Sequence, residues 1–479
     1  MHAFRSLDRR ACLQSLAGIA TAALSADYAP SLAAASAPPD PTADCMILLW
    51  MAGGMAHTET FDPKHYEPFS PGIETKRVLS TFPAIDTAVD SIKFTSGLEE
   101  MASVMDQGTL IRTFMCPVTD AITHAKHQYH WHTGYFPPLS VAAPHMGAVM
   151  ARTLGPRNPD LPAFIDIAET FAESSRESAG LRAFLTGGFL GVEHAPFFVP
   201  RPEDAARQLA SQVGASRGAS RMGAFRKLLQ ASPASDLVSS HQQESMLRAV
   251  DQADRLMHSS AAGSFDLSRE PKKSYEAYDT GPFGLGCLLA RRLVEAGARF
   301  IEVHTPYKPF GYWDTHENGH ATVAQLKRQI DRPIAQLIRD LRDRGLLDRT
   351  LVVLASEFSR DVMLEGKEGK FSDGGVKQPP HMTEPKHYGM HAHFADAGSV
   401  LMWGGGIKQG FAYGTTQDEH PCKTTSNPVE IEHLHATIYR AMGISPQQAY
   451  EVERRPFYVT RDGVGRPIQE LFRSSPARG

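Results

Sequence analysis

Carboxylates and histidines concentrate in three short segments of the C-terminal third of the sequence. The segments are WDTHENGH with Asp314 and His316, LVVLASEF with Glu357, and HYGMHAHF with His391 and His393. These side-chain types bind Zn²⁺ and similar divalent ions in proteins. Each segment adjoins an apolar run, and open α/β sheets place their ligand sites at strand ends. The pattern therefore predicts a metal-assisted hydrolase whose ligands meet at one edge of a sheet.

A fourth candidate segment follows the first apolar run of the chain, CMILLWM at 45–51. The pair Gly53-Gly54 permits a tight turn after this run, because glycine accepts positive φ angles. Two carboxylates, Glu59 and Asp62, come next, and either one could face a metal. If the four segments belong to neighbouring strands, their carboxylates and imidazoles suit Zn²⁺, Mn²⁺ or a pair of such ions.

Candidate nucleophiles lie near the ends of the first two apolar runs. Thr58 and Thr60 are in the loop after the first run, and Thr113 and Cys116 end the second. Thr58 or Thr60 is the candidate catalytic residue, because a hydroxyl beside a metal can attack an ester. A water molecule activated by the metal is the alternative nucleophile.

Four histidines interleaved with aromatic residues lie in the segment HAKHQYHWH at 124–132. We predict a loop here that borders the metal pocket, because clustered imidazoles are costly to bury without acids, metal or water as partners. His127 and His132 are the candidate substrate-binding residues, since a partly protonated imidazole can hold a sulfate or phosphate group. Surface or packing roles for most of these histidines are the alternative.

Structural roles also fit several of the candidate ligands. Asp314 could cap the helix predicted near Thr322 or hold a turn. Glu357 could form an ion pair with Arg360. One or more histidines of HYGMHAHF could be solvated loop residues. Convergence of these side chains in three dimensions decides between the two interpretations.

Alternating helices and buried strands are expected to position these groups. Apolar runs of strand type lie at 45–51, 108–115, 163–168, 299–304, 350–356 and 399–406. Apolar residues at helical spacing from Val323 to Leu341 predict a long amphipathic helix that ends at Gly345. This succession of helices and strands predicts a parallel sheet with right-handed crossovers.

The N-terminal 35 residues have the pattern of an export signal. Arg9-Arg10 precedes a mild apolar stretch from Leu16 to Leu24, and Ala33 to Ala35 form a candidate cleavage region. We expect a twin-arginine-type signal peptide over 1–35 and a periplasmic or secreted protein, with an ordinary secretory signal as the alternative. The apolar stretch is too short for a transmembrane anchor.

Residues 36–479 are expected to form a single domain with a helical insertion near 200–280, a stretch rich in Ala, Ser, Arg and Gln. The chain has 479 residues and a net charge of −4, without a basic stripe that would indicate a nucleic-acid partner. Four widely spaced cysteines follow the signal, so either a disulfide or free buried thiols fit the sequence.

Eight separated blocks give the chain a specific resemblance to a known family. They are RRACLQ, LLWMAGGMAHTETFDPK, SFDLSREP, LARRLVEAGARFIEV, WDTHENG, DLRDRGLLDRTLVVLASEFSR, LMWGGGIKQGFAYGTT and LHATIYRAMGI. In this order they resemble the exported bacterial proteins of the domain of unknown function 1501 family, which is similar to sulfatases. The resemblance implies an alkaline-phosphatase-like α/β fold, a three-layer α/β/α sandwich with a mostly parallel central sheet. It also implies a hydrolytic centre with one or two metal ions for phosphate or sulfate esters.

The resemblance also assigns site residues. Asp314 and His316 match the family's W-D-T-H block, and Glu357 matches its E-F-G-R block. His393 matches the histidine of the R-D-H-W block, and Glu59 stands where the family has aspartate before Thr-Phe-Asp-Pro-Lys. These five residues are the implied metal ligands. The sulfatase pattern C-x-P-x-R is absent, so no formylglycine is expected.

We therefore predict an exported, metal-dependent hydrolase-like protein that acts on a small-molecule or polysaccharide ester of sulfate or phosphate. The cofactor would be a divalent metal, Zn²⁺, Mn²⁺ or Ca²⁺, as one or two ions. A noncatalytic binding protein on the same fold is the alternative, because Ala392 and Glu59 each replace an aspartate of the family pattern. We expect neither a nucleic-acid partner nor a transmembrane anchor.

Overall fold

The computed structural model describes most of the chain after the predicted signal peptide. The described residues are 31–33, 37–117, 122–137, 139–167, 184–209, 220, 223–228, 239–362 and 379–474. The predicted signal peptide over 1–35 lies outside them except for 31–33. Among these residues, no helix combines the length and the hydropathy that a membrane crossing requires.

A central sheet of eight strands forms the middle layer. In chain order its strands are β1 (Cys45–Met51), β2 (Gly108–Ile111), β3 (Phe164–Ile167), β4 (Phe197–Val199), β5 (Phe300–Thr305), β6 (Thr350–Ala355), β7 (Val400–Trp403) and β8 (Phe411–Tyr413). The order across the sheet is β8-β2-β7-β6-β1-β5-β3-β4. β7 runs antiparallel to both of its neighbours, and all other neighbouring strands of this sheet pair in parallel. The prediction of a mostly parallel sheet is confirmed.

Helices cover both faces of the sheet. The longer ones are α1 (His124–Thr133), α2 (Met146–Leu154), α3 (Ser240–His258), α4 (Pro282–Glu295), α5 (Gly319–Asp343) and α6 (Ile431–Ala441), and shorter ones lie at Glu99–Ala102, Ala205–Leu209 and Lys272–Tyr278. In β1, Ile47 and Leu49 belong to the core shared with α4 and α5. Leu48 and Trp50 belong to the core shared with α1, α2 and α6. Because successive strand residues point to opposite faces, each face has its own core, and the three-layer α/β/α sandwich is confirmed.

The predicted amphipathic helix is α5, which packs its apolar stripe on the sheet. It begins at Gly319 after Asn318 and ends at Asp343, two residues before Gly345, whose φ is +68°. The boundary agrees with the predicted one, because glycine accepts the left-handed conformation that follows a helix. Asp314 lies five residues before the first helical residue, so the interpretation of Asp314 as a helix cap is wrong.

Smaller antiparallel sheets surround the central one. The strands Ser359–Val362 and His391–Phe394 pair with each other, and we call this pair the site ribbon. It follows β6 and precedes β7, so it lies at the edge of the sheet where β6 ends. The other pairings are Ile73–Glu74 with His381–Met382, Ala84–Asp86 with Lys93–Thr95, Thr415–Thr416 with Thr424–Ser426, and Ala449–Val452 with both Ser31–Ala33 and Arg455–Tyr458.

The four cysteines of the described residues are free thiols. Cys45, Cys116, Cys287 and Cys422 are all buried, and none of them is paired with another. Burial raises the pKa of Cys45 to about 12. The structure therefore agrees with the alternative of buried free thiols, which behave as small apolar side chains.

Candidate metal centre

The carboxyl ends of β1, β5 and β6 lie at one edge of the sheet, because these strands are parallel neighbours. Asp314 is in the loop after β5, and Glu357 lies two residues after the end of β6. The site ribbon adds Arg360 and His393, which are paired across its two strands. His124 opens α1, which follows β2. Four separate parts of the chain therefore deliver charged or imidazole groups to this edge.

Three imidazole nitrogens converge on one oxygen, Oδ1 of Asp314. The distances to Oδ1 are 3.0 Å from Nε2 of His316, 3.1 Å from Nε2 of His124 and 4.0 Å from Nε2 of His393. The other oxygen accepts a hydrogen bond from the backbone N–H of Phe310 at 2.7 Å, which orients the carboxylate. Burial raises the pKa of Asp314, but the contacts with the three histidines outweigh burial and hold this pKa well below its usual value. We call these four residues, with Glu357 and Arg360, the Asp314 site.

His124 bridges the two acids of the Asp314 site. Its Nδ1 lies 2.7 Å from Oε1 of Glu357, and its Nε2 lies 3.1 Å from Oδ1 of Asp314. Burial lowers the pKa of His124, but the hydrogen bonds to Asp314 and Glu357 outweigh it and raise this pKa to about 9. One imidazole thus links both carboxylates, and its protonation depends on what else binds to them.

Glu357 is surrounded by hydrogen-bond donors. Besides His124, its oxygens accept from the backbone N–H of Gly53 at 3.0 and 3.1 Å, from Oγ of Ser356 at 3.1 Å and from Nε2 of Gln128 at 3.3 Å. Burial raises the pKa of Glu357, but the hydrogen bonds, first of all the one from His124, outweigh it and lower this pKa. The carboxylate therefore holds His124 and the turn after β1 in place.

Arg360 supplies a fully buried positive charge to the site. Its Nε donates to the carbonyl oxygen of Gly53 at 2.9 Å and its Nη1 to that of Thr315 at 2.6 Å. Its Nη2 donates to Oδ1 of Asp314. Among the described residues, Asp314 is the acid with which Arg360 forms its ion pair, so the interpretation of a Glu357–Arg360 pair is wrong.

His393 presents a free lone pair to the site. Its Nδ1 donates to the carbonyl oxygen of Ile122 at 2.8 Å, so the neutral ring has its lone pair on Nε2. Burial lowers the pKa of His393 to about 4, which keeps the ring neutral at pH 7. Nε2 forms no hydrogen bond with any residue that the structure describes. A neutral imidazole held in this way is a suitable metal ligand.

The tight turn expected after β1 is present. Gly53 and Gly54 have φ angles of +127° and +80°. A Cβ atom on Gly53 would lie 2.4 Å from the backbone nitrogen of Asp314 and 2.7 Å from the carbonyl carbon of Trp313. Only glycine therefore permits the loop after β5 to approach the end of β1 so closely.

Glu59 lies outside the Asp314 site. It accepts from the backbone N–H of Thr81 at 3.3 and 3.2 Å and from Oγ1 of the same residue at 2.8 Å. Nε2 of His391 lies 3.5 Å away from Glu59, and Nδ1 of His391 contacts Oγ1 of Thr315. Glu59 and Asp314 thus belong to two adjacent networks, and a ligand role for Glu59 stays a prediction.

The two candidate nucleophiles lie in and beside the short 3-10 turn His57–Glu59 after β1. Oγ1 of Thr60 donates to the carbonyl oxygen of Ala56 at 2.7 Å. Oγ1 of Thr58 is buried and has no hydrogen-bond partner among the described residues. A catalytic role for either threonine stays a prediction, and Thr58 has the hydroxyl that is not already engaged.

The histidine-rich segment is a helix and not the predicted loop, since α1 spans His124–Thr133. Nδ1 of His127 lies 2.8 Å from the carbonyl oxygen of Thr123. Nε2 of His132 lies 2.8 Å from Oε1 of Glu302. Both rings are fully buried. Substrate binding by His127 and His132 stays a prediction, and neither ring reaches solvent in the structure.

Two residues of the Asp314 site were not assigned from the sequence as ligands or partners of Asp314. His124 begins the histidine-rich segment, and Arg360 follows Glu357 in the same segment. The sequence signal for both residues was that they lie next to residues that had been assigned to the site. Their roles depend on how α1 and the site ribbon pack, which sequence spacing does not specify.

The fold and the site together define a three-layer α/β/α protein with an acid–histidine cluster at the carboxyl edge of a mostly parallel sheet. The chain belongs to the family described as protein of unknown function (DUF1501), whose sequence model matches residues 43–472. Among curated proteins, none matches the chain.

Several solved structures are similar to this chain. Ps i-CgsB in complex with k-i-k-neocarrahexaose has a TM-score of 0.33 and 10% identity, over 90% of this chain and 88% of that one. The PsFucS1 sulfatase from Pseudoalteromonas sp. has a TM-score of 0.35 and 11% identity, over 85% of this chain and 68% of that one. A protein in the alkaline phosphatase superfamily from Vibrio parahaemolyticus has a TM-score of 0.35 and 9% identity, over 92% of this chain and 76% of that one. All three TM-scores are below 0.5, so the likeness is too loose to assign a substrate.

Proposed function

We propose that this protein is a metal-dependent hydrolase of sulfate or phosphate esters, with the ion bound by His124, Asp314 and His393. The observation that carries the proposal is their convergence, since one ligand atom from each lies within 4.8 Å of the other two. Two imidazoles and one carboxylate are three protein ligands, the number that catalytic zinc sites use while one position stays open for substrate. The ester class comes from the sequence resemblance.

The orientation of the two imidazoles fits such an ion. Nδ1 of His124 is held by Glu357 and Nδ1 of His393 by the carbonyl oxygen of Ile122. Histidines that bind metals usually donate their other ring N–H in this way, which fixes the ring and leaves the second nitrogen for the ion. Mixed nitrogen and oxygen donors suit Zn²⁺ or Mn²⁺ better than Ca²⁺, which prefers oxygen ligands.

A bound ion would polarise an ester oxygen and offset the charge that develops during hydrolysis. Arg360 is anchored on the carbonyl oxygens of Gly53 and Thr315, so its charge stays beside Asp314. The side chain of His393 is 15% exposed, against 4% for Asp314. The ester would therefore approach from the His393 side, where His316 also contacts Oδ1 of Asp314.

A noncatalytic binding role on the same fold is the second candidate. It is favoured by one observation, that Oδ1 of Asp314 already contacts three basic groups, Arg360, His124 and His316. Because of these contacts, the Asp314 carboxylate is paired even when no ion is bound. A protein of this kind would bind a sulfated or phosphorylated ligand but would not hydrolyse it.

Metal analysis and turnover separate the two candidates. The purified mature protein is analysed for bound metals and assayed with 4-nitrophenyl sulfate, 4-nitrophenyl phosphate and a sulfated polysaccharide. We expect ester cleavage that a chelator abolishes and that Zn²⁺ or Mn²⁺ restores. Ligand binding without cleavage, at any metal loading, would favour the binding role, and chelator-resistant cleavage would contradict the metal-dependent mechanism.

We further propose that the protein is exported by the twin-arginine route and acts in the periplasm or outside the cell. Support comes from Arg9-Arg10 and the apolar stretch that follows. Mass spectrometry of the N-terminus, on protein recovered from the periplasm or medium, is expected to show cleavage near residue 35. Exported protein that retains Met1 would refute the signal peptide.

A further inference from the structure

A second group of acids and histidines is buried on the face of the sheet that α1, α2 and α6 cover. Its members are Asp166 on β3, Glu302 and His304 on β5, His132 on α1 and His145 at the start of α2, and we call it the Glu302 cluster. None of these residues is more than 2% exposed. Buried charges are costly unless they are paired or bind a metal, so this cluster requires a physical explanation.

Several polar atoms of the Glu302 cluster have no hydrogen bond among the described residues. They are both carboxylate oxygens of Asp166, Oε2 of Glu302, Nε2 of His304 and Nε2 of His145. Nε2 of His304 lies 3.0 Å from Oδ1 of Asp166 and 3.5 Å from Oε1 of Glu302, yet neither contact has hydrogen-bond geometry. The ligand atoms of a metal site also lie close together without hydrogen bonds between them, because each lone pair points to the ion and not to the neighbouring ligand.

The other two histidines lie next to the Glu302 carboxylate on the helix side. Nδ1 of His145 accepts from the backbone N–H of Gly147 at 2.9 Å, so the ring hydrogen is on Nε2, 3.1 Å from Oε2 of Glu302. Nδ1 of His132 donates to the carbonyl oxygen of Gln128 at 2.8 Å, and its Nε2 lies 2.8 Å from Oε1 of Glu302. Both nitrogens of His132 thus face oxygen acceptors. Neither ring therefore has a lone pair free for an ion.

We propose that Asp166, Glu302 and His304 bind a divalent cation of the Zn²⁺ or Mn²⁺ type, with His132 and His145 as positioning residues. One ligand atom from each of the three ligands lies within 4.8 Å of the other two. Carboxylate and imidazole ligands together suit these ions.

The second ion would stabilise the fold and take no substrate. All three ligands are on the neighbouring strands β3 and β5, and Asp166 is paired in register with Glu302 across them. An ion at this place would join the two strands through their side chains. Because every ligand is buried, the site has no open face for an ester. This site is thus independent of the proposed hydrolase function.

Metal content of the Asp166→Asn variant tests the proposal. Purified D166N is expected to contain one equivalent of ion per chain less than the unsubstituted protein. Asp331→Asn is the matched control, because Asp331 is a buried carboxylate that accepts from the backbone N–H groups of Glu100 and Met101, far from the cluster in sequence. D331N is expected to retain the full ion content. Equal ion content in D166N and the unsubstituted protein would overturn the proposal.

A second measurement applies if D166N does not fold. The Asp314→Asn variant keeps the Glu302 cluster intact, so chelated D314N is expected to bind one equivalent of Mn²⁺ or Zn²⁺ in calorimetry and to melt at a higher temperature when loaded. No uptake would mean that a protonated His304 pairs with Asp166 instead, and this would overturn the proposal. If the Asp314 site binds no ion, D314N and the unsubstituted protein contain the same amount of ion. That result would contradict the proposed function and not the proposal for the Glu302 cluster.

Discussion

Replacing Asp314 with asparagine is expected to remove the ion of the Asp314 site and to lower ester hydrolysis by about 1000-fold. The carboxylate oxygen Oδ1 is the atom on which the three imidazoles of the site converge. A catalytic ion contributes several kcal/mol of charge stabilisation, and about 1.4 kcal/mol corresponds to a tenfold change in rate. Elemental analysis and turnover of a 4-nitrophenyl ester measure the two effects separately.

The same substitution should also reduce stability, because Arg360 is fully buried and pairs with Asp314. Removing one partner of a buried ion pair costs about 3–5 kcal/mol. The Asp62→Asn variant is the matched control, since Asp62 is a buried aspartate 3.3 Å from Nζ of Lys64 and forms no part of the Asp314 site. D62N is expected to keep its ion content and turnover, whatever its stability. If D314N retained its full ion content and its turnover, Asp314 would not be a metal ligand.

The sheet and the meeting of its strand ends were predictable from the sequence. β1, β5 and β6 are continuous or alternating apolar runs separated by helical patterns, and such runs form parallel strands. Once the strands are parallel, the loops after β5 and β6 lie at the same edge, and Asp314 and Glu357 with them. Chain order alone therefore carried this part of the prediction.

The helix α1 was not predictable, because its sequence lacks an apolar stripe. Eight of its ten residues are buried, including His124, His127, His130 and His132. A helix that is covered on all sides shows no amphipathic period, and histidines at its positions look like loop residues. The polar partners that allow this burial, such as Glu302 for His132, lie far away in sequence.

The separation of Glu59 from Asp314 was also outside the reach of sequence analysis. Both residues follow parallel strands, so strand order places them at one edge. The direction of each side chain, however, depends on the loops. Glu59 accepts a hydrogen bond from Thr81 and lies next to His391. Proximity of strand ends gives the neighbourhood of a site but not its set of ligands.

The Glu302 cluster did leave a signal in the sequence. Glu302 and His304 are two residues apart in RFIEVH, so they share one face of β5. A strand between two parallel neighbours is buried on both faces and normally reads as a continuous apolar run. Charged or imidazole residues inside such a strand therefore indicate buried partners. The alternation in RFIEVH fitted a strand with one solvated face equally well, and the positions of Asp166 and His132 were needed to decide.

Glutamine at position 357 is expected to weaken ion binding at the Asp314 site by about 10- to 100-fold, without removing the ion at saturating metal. This range is the usual cost of losing a residue that orients a metal ligand. Glu357 already accepts hydrogen bonds from Gly53, Ser356 and His124, so the geometry assigns it the role of orienting His124. The amide retains the size of the side chain but loses the charge that holds Nδ1–H of His124.

Ion titration of Glu357→Gln separates this orienting role from the ligand role that the sequence predicted. An orienting residue gives a raised dissociation constant and nearly full turnover when ion is in excess. A ligand gives the behaviour of D314N, with no ion at the Asp314 site and no turnover at any metal concentration. Glu270→Gln is the control, because Glu270 is a largely buried glutamate paired with Arg291 and Arg292 and should leave the titration unchanged. Loss of turnover in E357Q that excess Zn²⁺ or Mn²⁺ does not restore would reject the orienting role, because only a ligand to the ion fails in that way.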